Sequence, residues 1–99
     1  EAETVDDINA RHVNRTFLPG VPLDPGLTAT GELAALASAD ALLMVAPAQH
    51  VRTIAKQLRP QLRPGQPVVL CAKGIEQTTG RMLGDVLTEV LPDQTLAVL

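Results

Sequence analysis

Leu42-Leu43-Met44-Val45-Ala46-Pro47-Ala48-Gln49-His50-Val51-Arg52-Thr53-Ile54-Ala55-Lys56-Gln57-Leu58 decides the fold. Its first five residues are an unbroken apolar run, too short for a full helix and closed by Pro47. A run of this kind reads as a strand buried on both faces. From there the apolar period changes. Val51, Ile54, Ala55 and Leu58 stand at i, i+3, i+4 and i+7, which is one face of an amphipathic helix that stops near Pro60. The pattern repeats downstream. Pro64-Gly65 makes a turn, Val68–Ala72 forms a second buried run ended by Lys73-Gly74, and Met82, Leu83, Val86, Leu87 and Val90 share a helical face closed by Pro92. Leu96–Leu99 is a third apolar run. Strands beginning near 42, 68 and 95 with a helix between each pair give β-α-β-α-β, and strands joined through helices are parallel with right-handed crossovers. The class is α/β, an open sheet covered by helices on both faces.

Upstream, residues 1–12 read as a helix. Ala2, Val5 and Ile8 recur every third residue, with acidic residues early and Arg11 and His12 late, as the helix dipole favours. Three prolines and two glycines within Phe17–Gly26 make a loop. Leu27–Thr30 is expected to be a short strand, and Glu32–Ser38 a short helix with Leu33, Leu36 and Ala37 on one face.

Composition limits the function classes. The 99 residues suit one small domain or a piece of a larger one. With no Trp or Tyr and one Phe, the core must be aliphatic. Net charge is −3 with no basic cluster, so no nucleic-acid surface is indicated. Cys71, the single cysteine, allows no intrachain disulfide and no cysteine-based metal site. No apolar run approaches the length of a membrane span. The first residue is not Met and both ends fall within patterned segments, so we expect a piece of a longer protein, truncated at both ends.

In an open parallel sheet, ligands sit outside the carboxyl ends of the strands. Two such ends are visible, Ala46-Pro47-Ala48-Gln49 and Ala72-Lys73-Gly74-Ile75-Glu76. Lys73 is the foremost candidate: an ammonium directly after a buried strand can bind a phosphate or polarise a carbonyl oxygen. The competing reading is a lysine that only reaches for water. Pro47 shapes a cofactor wall or simply ends its strand, Gln49 donates to a ligand or is solvated, and His50 lies near a helix start beside a strand end. Neither His12 nor His50 has partners at metal-ligand spacing. No Gly-x-Gly-x-x-Gly and no Walker A string occurs, so a dinucleotide's phosphate-binding turn would have to lie upstream of Glu1.

Several strings in order resemble the bacterial-type NAD(P)-dependent glycerol-3-phosphate dehydrogenases. They are Ile8-Asn9, Asn14-Arg15-Thr16-Phe17-Leu18-Pro19-Gly20-Val21, Leu27-Thr28-Ala29-Thr30, Ala39–Gln49, Cys71-Ala72-Lys73-Gly74-Ile75-Glu76 and Glu89-Val90-Leu91-Pro92. Lys-Gly-Ile-Glu after a buried strand is the most specific of them. The resemblance implies a Rossmann-like sheet, with residues 1–99 as a partial NAD(P)-binding domain. It also implies interconversion of dihydroxyacetone phosphate and sn-glycerol 3-phosphate with NAD or NADP, in service of glycerophospholipid synthesis. It assigns Lys73 to substrate and cofactor contact. It puts Phe17 near the cofactor, where many relatives carry Tyr, and Ala46, Pro47 and His50 along the nicotinamide side. It further implies a cytoplasmic, homodimeric parent enzyme whose proton-transfer lysine lies in a helical domain beyond this chain, so the chain alone is expected to be inactive. Two other readings stand beside it. One is a ketopantoate-reductase-like or 6-phosphogluconate-dehydrogenase-like enzyme, against which Lys73-Gly74-Ile75-Glu76 argues. The other is a non-catalytic α/β interaction module.

Overall fold

The computed structural model describes all residues, Glu1–Leu99. They form two compact units, Glu1–Glu32 and Leu33–Leu99.

In the first unit, helix α1 (Ala2–Asp6) runs on into a π-helical turn, Asp7–Arg11. His12 ends it in the left-handed region at φ 56°. The buried anchor is Asp7, whose carboxylate accepts from Arg11 at 2.8 Å and from Arg15 at 2.7 Å. The Arg15 guanidinium holds that carboxyl below the usual aspartate range. Leu27–Thr30 is not a strand, which corrects the expectation. No strand lies alongside to complete a ladder; a side chain does the pairing instead. Asn9 Nδ2 donates to the Ala29 carbonyl at 2.8 Å, and the Ala29 N–H donates to Asn9 Oδ1 at 2.6 Å.

The second unit carries the sheet. Strands β1 (Leu42–Met44), β2 (Pro67–Leu70) and β3 (Thr95–Val98) pair in sequence order and all in parallel. Leu42 faces Val68, and Val68 faces Leu96. A 3-10 helix, Leu33–Ser38, precedes β1. Helix α2 (Val51–Leu58) joins β1 to β2, and α3 (Leu83–Val90) joins β2 to β3.

Alternation along the strands sets the core. Leu42, Met44, Val68 and Leu70 point to one face and meet Val51, Ala55 and Leu58 of α2 with Val86, Leu87 and Val90 of α3. A fully buried Leu or Val contributes about 1.5–3 kcal/mol, against about 1 kcal/mol net for a hydrogen bond, so this apolar seam dominates the layer. Within these 99 residues the expectation of burial on both faces fails at β1, while Val69 of β2 is half-buried. Leu43 and Val45 are 68% and 69% exposed, because α2 and α3 cover the same face. Gln66 is a buried polar exception. Its Nε2 donates to the Leu36 and Ala39 carbonyls, and its Oε1 accepts from the Arg63 N–H, which ties the amino end of β2 to the 3-10 helix.

Candidate functional site

The carboxyl ends of β1 and β2 lie side by side, with Met44 opposite Leu70 and the Cys71 N–H donating to the Met44 carbonyl at 2.9 Å. From β1 the chain passes Ala46 and Pro47 into a 3-10 turn, Ala48–His50, that leads into α2. The proline suits this place, since its missing N–H falls where no helical acceptor exists. From β2 the chain passes Ala72, Lys73 and Gly74. Gly74 has φ 119°, a conformation that excludes ordinary side chains. A Cβ placed on it would stand 3.8 Å from the Ala48 Cβ, so the two strand-end loops meet there.

Lys73 is exposed and takes part in no ion pair or side-chain hydrogen bond. By contrast, Arg52 and Arg81 nearby are both committed to carboxylates. Lys73 stands at a hollow of about 350 Å³ between the carboxyl ends of β2 and β3 and the start of α3, with Leu70, Ala72, Met82 and Val98 as apolar walls and Asp85 at its lining. An uncommitted ammonium beside an apolar hollow can bind a phosphate or hydrogen-bond a carbonyl oxygen.

Four of the residues expected at the site are thus brought to adjacent strand ends. Ala46 is half-buried against the core, Pro47 and His50 are exposed, and Lys73 completes the group. Phe17 belongs to the first unit and is 66% exposed; the Asn14 side chain, accepting from the Phe17 N–H at 3.1 Å, fixes its turn. No group of three His, Cys, Asp or Glu side chains gathers to hold a metal ion. No helix is long and apolar enough to cross a membrane.

Gln49 is exposed at the start of the 3-10 turn, as the solvated reading expected, and its side chain also bonds to the neighbouring loop. Its Nε2 donates to the Ile75 carbonyl at 3.0 Å and its Oε1 accepts from the Gln77 N–H at 2.9 Å. Arg52 and Glu76, not singled out in the sequence, pair beside it. Arg52 Nε and Nη2 donate to the two carboxylate oxygens of Glu76 at 2.8 and 3.1 Å, and Arg52 also reaches Glu89 at 3.0 Å. Glu76 is 5% exposed. The Arg52 guanidinium first, then the Thr79 hydroxyl, hold its carboxyl below the usual glutamate range. The one available signal was Glu76 itself, an acidic residue ending a string that begins with the candidate lysine.

The family model for the NAD-dependent glycerol-3-phosphate dehydrogenase N-terminus matches residues 1–99. The glycerol-3-phosphate dehydrogenase [NAD(P)+] of Paramagnetospirillum magneticum is 52% identical over the whole chain, which spans 36% of that protein. Its counterpart in Parvibaculum lavamentivorans is also 52% identical, with 30% of its length spanned. The chain therefore covers about a third of the curated relatives it matches. Among solved structures, the glycerol-3-phosphate dehydrogenase of Coxiella burnetii superposes on 99% of this chain and 30% of its own with a TM-score of 0.86 and 26% identity.

Proposed function

The chain belongs to the family of NAD-dependent glycerol-3-phosphate dehydrogenase N-termini, and from that premise we propose that it is part of the NAD(P)-binding domain of an oxidoreductase interconverting dihydroxyacetone phosphate and sn-glycerol 3-phosphate. The observation that carries this reading is the uncommitted Lys73 at the carboxyl end of β2, beside the apolar hollow. Its ammonium binds the polar end of the substrate, the phosphate or the carbonyl oxygen, where water is partly displaced and a charge acts more strongly than in bulk solvent. Ala46, Pro47 and His50 line the side along which the cofactor lies. When bound, NADH or NADPH supplies the hydride that reduces the ketone. The product feeds glycerophospholipid synthesis, and the enzyme works in the cytoplasm as a homodimer.

The test is kinetic. The full-length protein should oxidise NADH or NADPH in the presence of dihydroxyacetone phosphate, and Lys73→Ala should lose most of that activity. Absence of turnover with this substrate would overturn the assignment. Full activity in the variant would leave the reaction in place and remove Lys73 from the site.

A further inference from the structure

We infer that Gln49 and Arg52 are positioning residues that set the place of Lys73 by clamping the loop that follows it. The inference rests on the role of Lys73 proposed above. The N–H groups of Ala72, Lys73 and Gly74 donate no backbone hydrogen bond, and the chain is next tied by the antiparallel bridge between Ile75 and Met82. The three-residue link is instead fixed from both sides. On one side, the Cys71 N–H is tied to the Met44 carbonyl. On the other, Gln49 grips the Ile75 carbonyl and the Gln77 N–H, while the Arg52 fork holds the Glu76 carboxylate.

The clamped segment is itself a closed unit. The Glu76 N–H donates to the Arg81 carbonyl at 2.8 Å, the Gly80 N–H donates to the Glu76 carbonyl at 2.7 Å, and the Thr79 hydroxyl donates to Glu76 Oε1 at 2.6 Å. Both gripping residues come from the turn and helix that follow β1. The strand end bearing Ala46 and Pro47 and the strand end bearing Lys73 are therefore held in one register by side chains that touch neither candidate ligand contact. With Gly74 at φ 119°, the backbone that follows Lys73 is restrained by the Ile75–Met82 bridge and by the clamp, and releasing the clamp removes its side-chain ties. Displacing a binding group by about 1 Å can cost up to roughly 100-fold in rate.

The experiment uses the full-length protein with Gln49→Ala, Arg52→Lys and Arg52→Gln, each alone and combined with Lys73→Ala, and reads kcat/KM for dihydroxyacetone phosphate. Gln49→Ala removes an exposed side chain and tests the clamp without leaving a buried charge unpaired. Each single variant is expected to lose roughly 10-fold or more. Arg52→Lys, which keeps the charge without the two-pronged grip, should fall between wild type and Arg52→Gln. In the Lys73→Ala background the same changes should cost less than about twofold, because residues acting through one group do not add. Losses that multiply in that background would overturn the clamp and indicate a general effect on folding. Wild-type kcat/KM in the single variants beside a crippled Lys73→Ala would overturn the clamp alone. An unimpaired Lys73→Ala, or a wild type without turnover, would overturn the clamp together with the reading it rests on.

Discussion

Arg52 on α2 and Glu76 beyond β2 form a two-pronged ion pair across 24 residues of sequence, with Nε to Oε2 at 2.8 Å. The carboxylate is buried and the arginine is largely covered. Such a pair holds only while Glu76 is ionised, which gives it a pH signature. Its carboxyl is depressed in the folded chain, chiefly by Arg52. The stability it contributes is therefore complete above the ordinary glutamate pKa of about 4.3 and is lost as pH falls through the lower folded value. Asp7, depressed by Arg15, acts in the same direction. Thermal melts between pH 3 and 7 should show a drop in midpoint below about pH 4, and Glu76→Gln should flatten it. A variant that keeps the full acid slope would mean that Glu76 does not carry it.

Gly74→Ala isolates the backbone at the strand end. At φ 119° the residue occupies a region that side chains avoid, yet a Cβ there would meet only the Ala48 Cβ at an ordinary 3.8 Å. The cost should come from strain and amount to about 1–3 kcal/mol. Urea unfolding would read it as a lowered midpoint with an unchanged slope. An unmoved midpoint would contradict the positive φ.

Gln66→Ala probes the opposite end of the strands. Its side chain satisfies the Leu36 and Ala39 carbonyls and the Arg63 N–H. After removal the Leu36 carbonyl keeps the Ala39 N–H and the Ala39 carbonyl keeps the Arg63 guanidinium, while the Arg63 N–H loses its acceptor, so the cost should be about 1 kcal/mol. Since ligands of a parallel sheet gather at the carboxyl ends, the full-length protein with the proposed activity should keep its wild-type KM for dihydroxyacetone phosphate. A raised KM with unchanged stability would reverse that placement.

The fold was legible where apolar period and punctuation agreed. The runs at Leu42, Val68 and Leu96, stopped by Pro47 and by Lys73-Gly74, became β1, β2 and β3, and the face of Val51, Ala55 and Leu58 became the buried side of α2. An unbroken run does not say which of its residues is covered. Leu43 and Val45 are as apolar as their neighbours, and their exposure follows from where two helices happen to pack. The clamp was illegible for a different reason. Gln49 meets Gln77 and Arg52 meets Glu76 only after a whole strand and its loop intervene, and no local spacing encodes such a meeting. Lys73 could be singled out because a charge at the end of an apolar run contrasts with its surroundings.

The failed strand at Leu27–Thr30 leads to a sharper test. Both hydrogen-bonding groups of Ala29 are satisfied by the Asn9 side-chain amide, which takes the part of a neighbouring strand. The contact is exposed, so each bond is worth about 1 kcal/mol or less and global stability should change little on Asn9→Ala. Local opening is another matter. The Ala29 amide has no other acceptor, and its protection against hydrogen exchange depends on that single oxygen. Exchange at Ala29 should therefore speed up in Asn9→Ala while the amides of Val68 and Val86, buried in the other unit, keep their rates. Asn9→Asp separates the two bonds, since a carboxylate still accepts from the Ala29 N–H and cannot donate to its carbonyl. It should retain most of the protection. Equal exchange at Ala29 in wild type and Asn9→Ala would mean that the segment is held by something other than the asparagine.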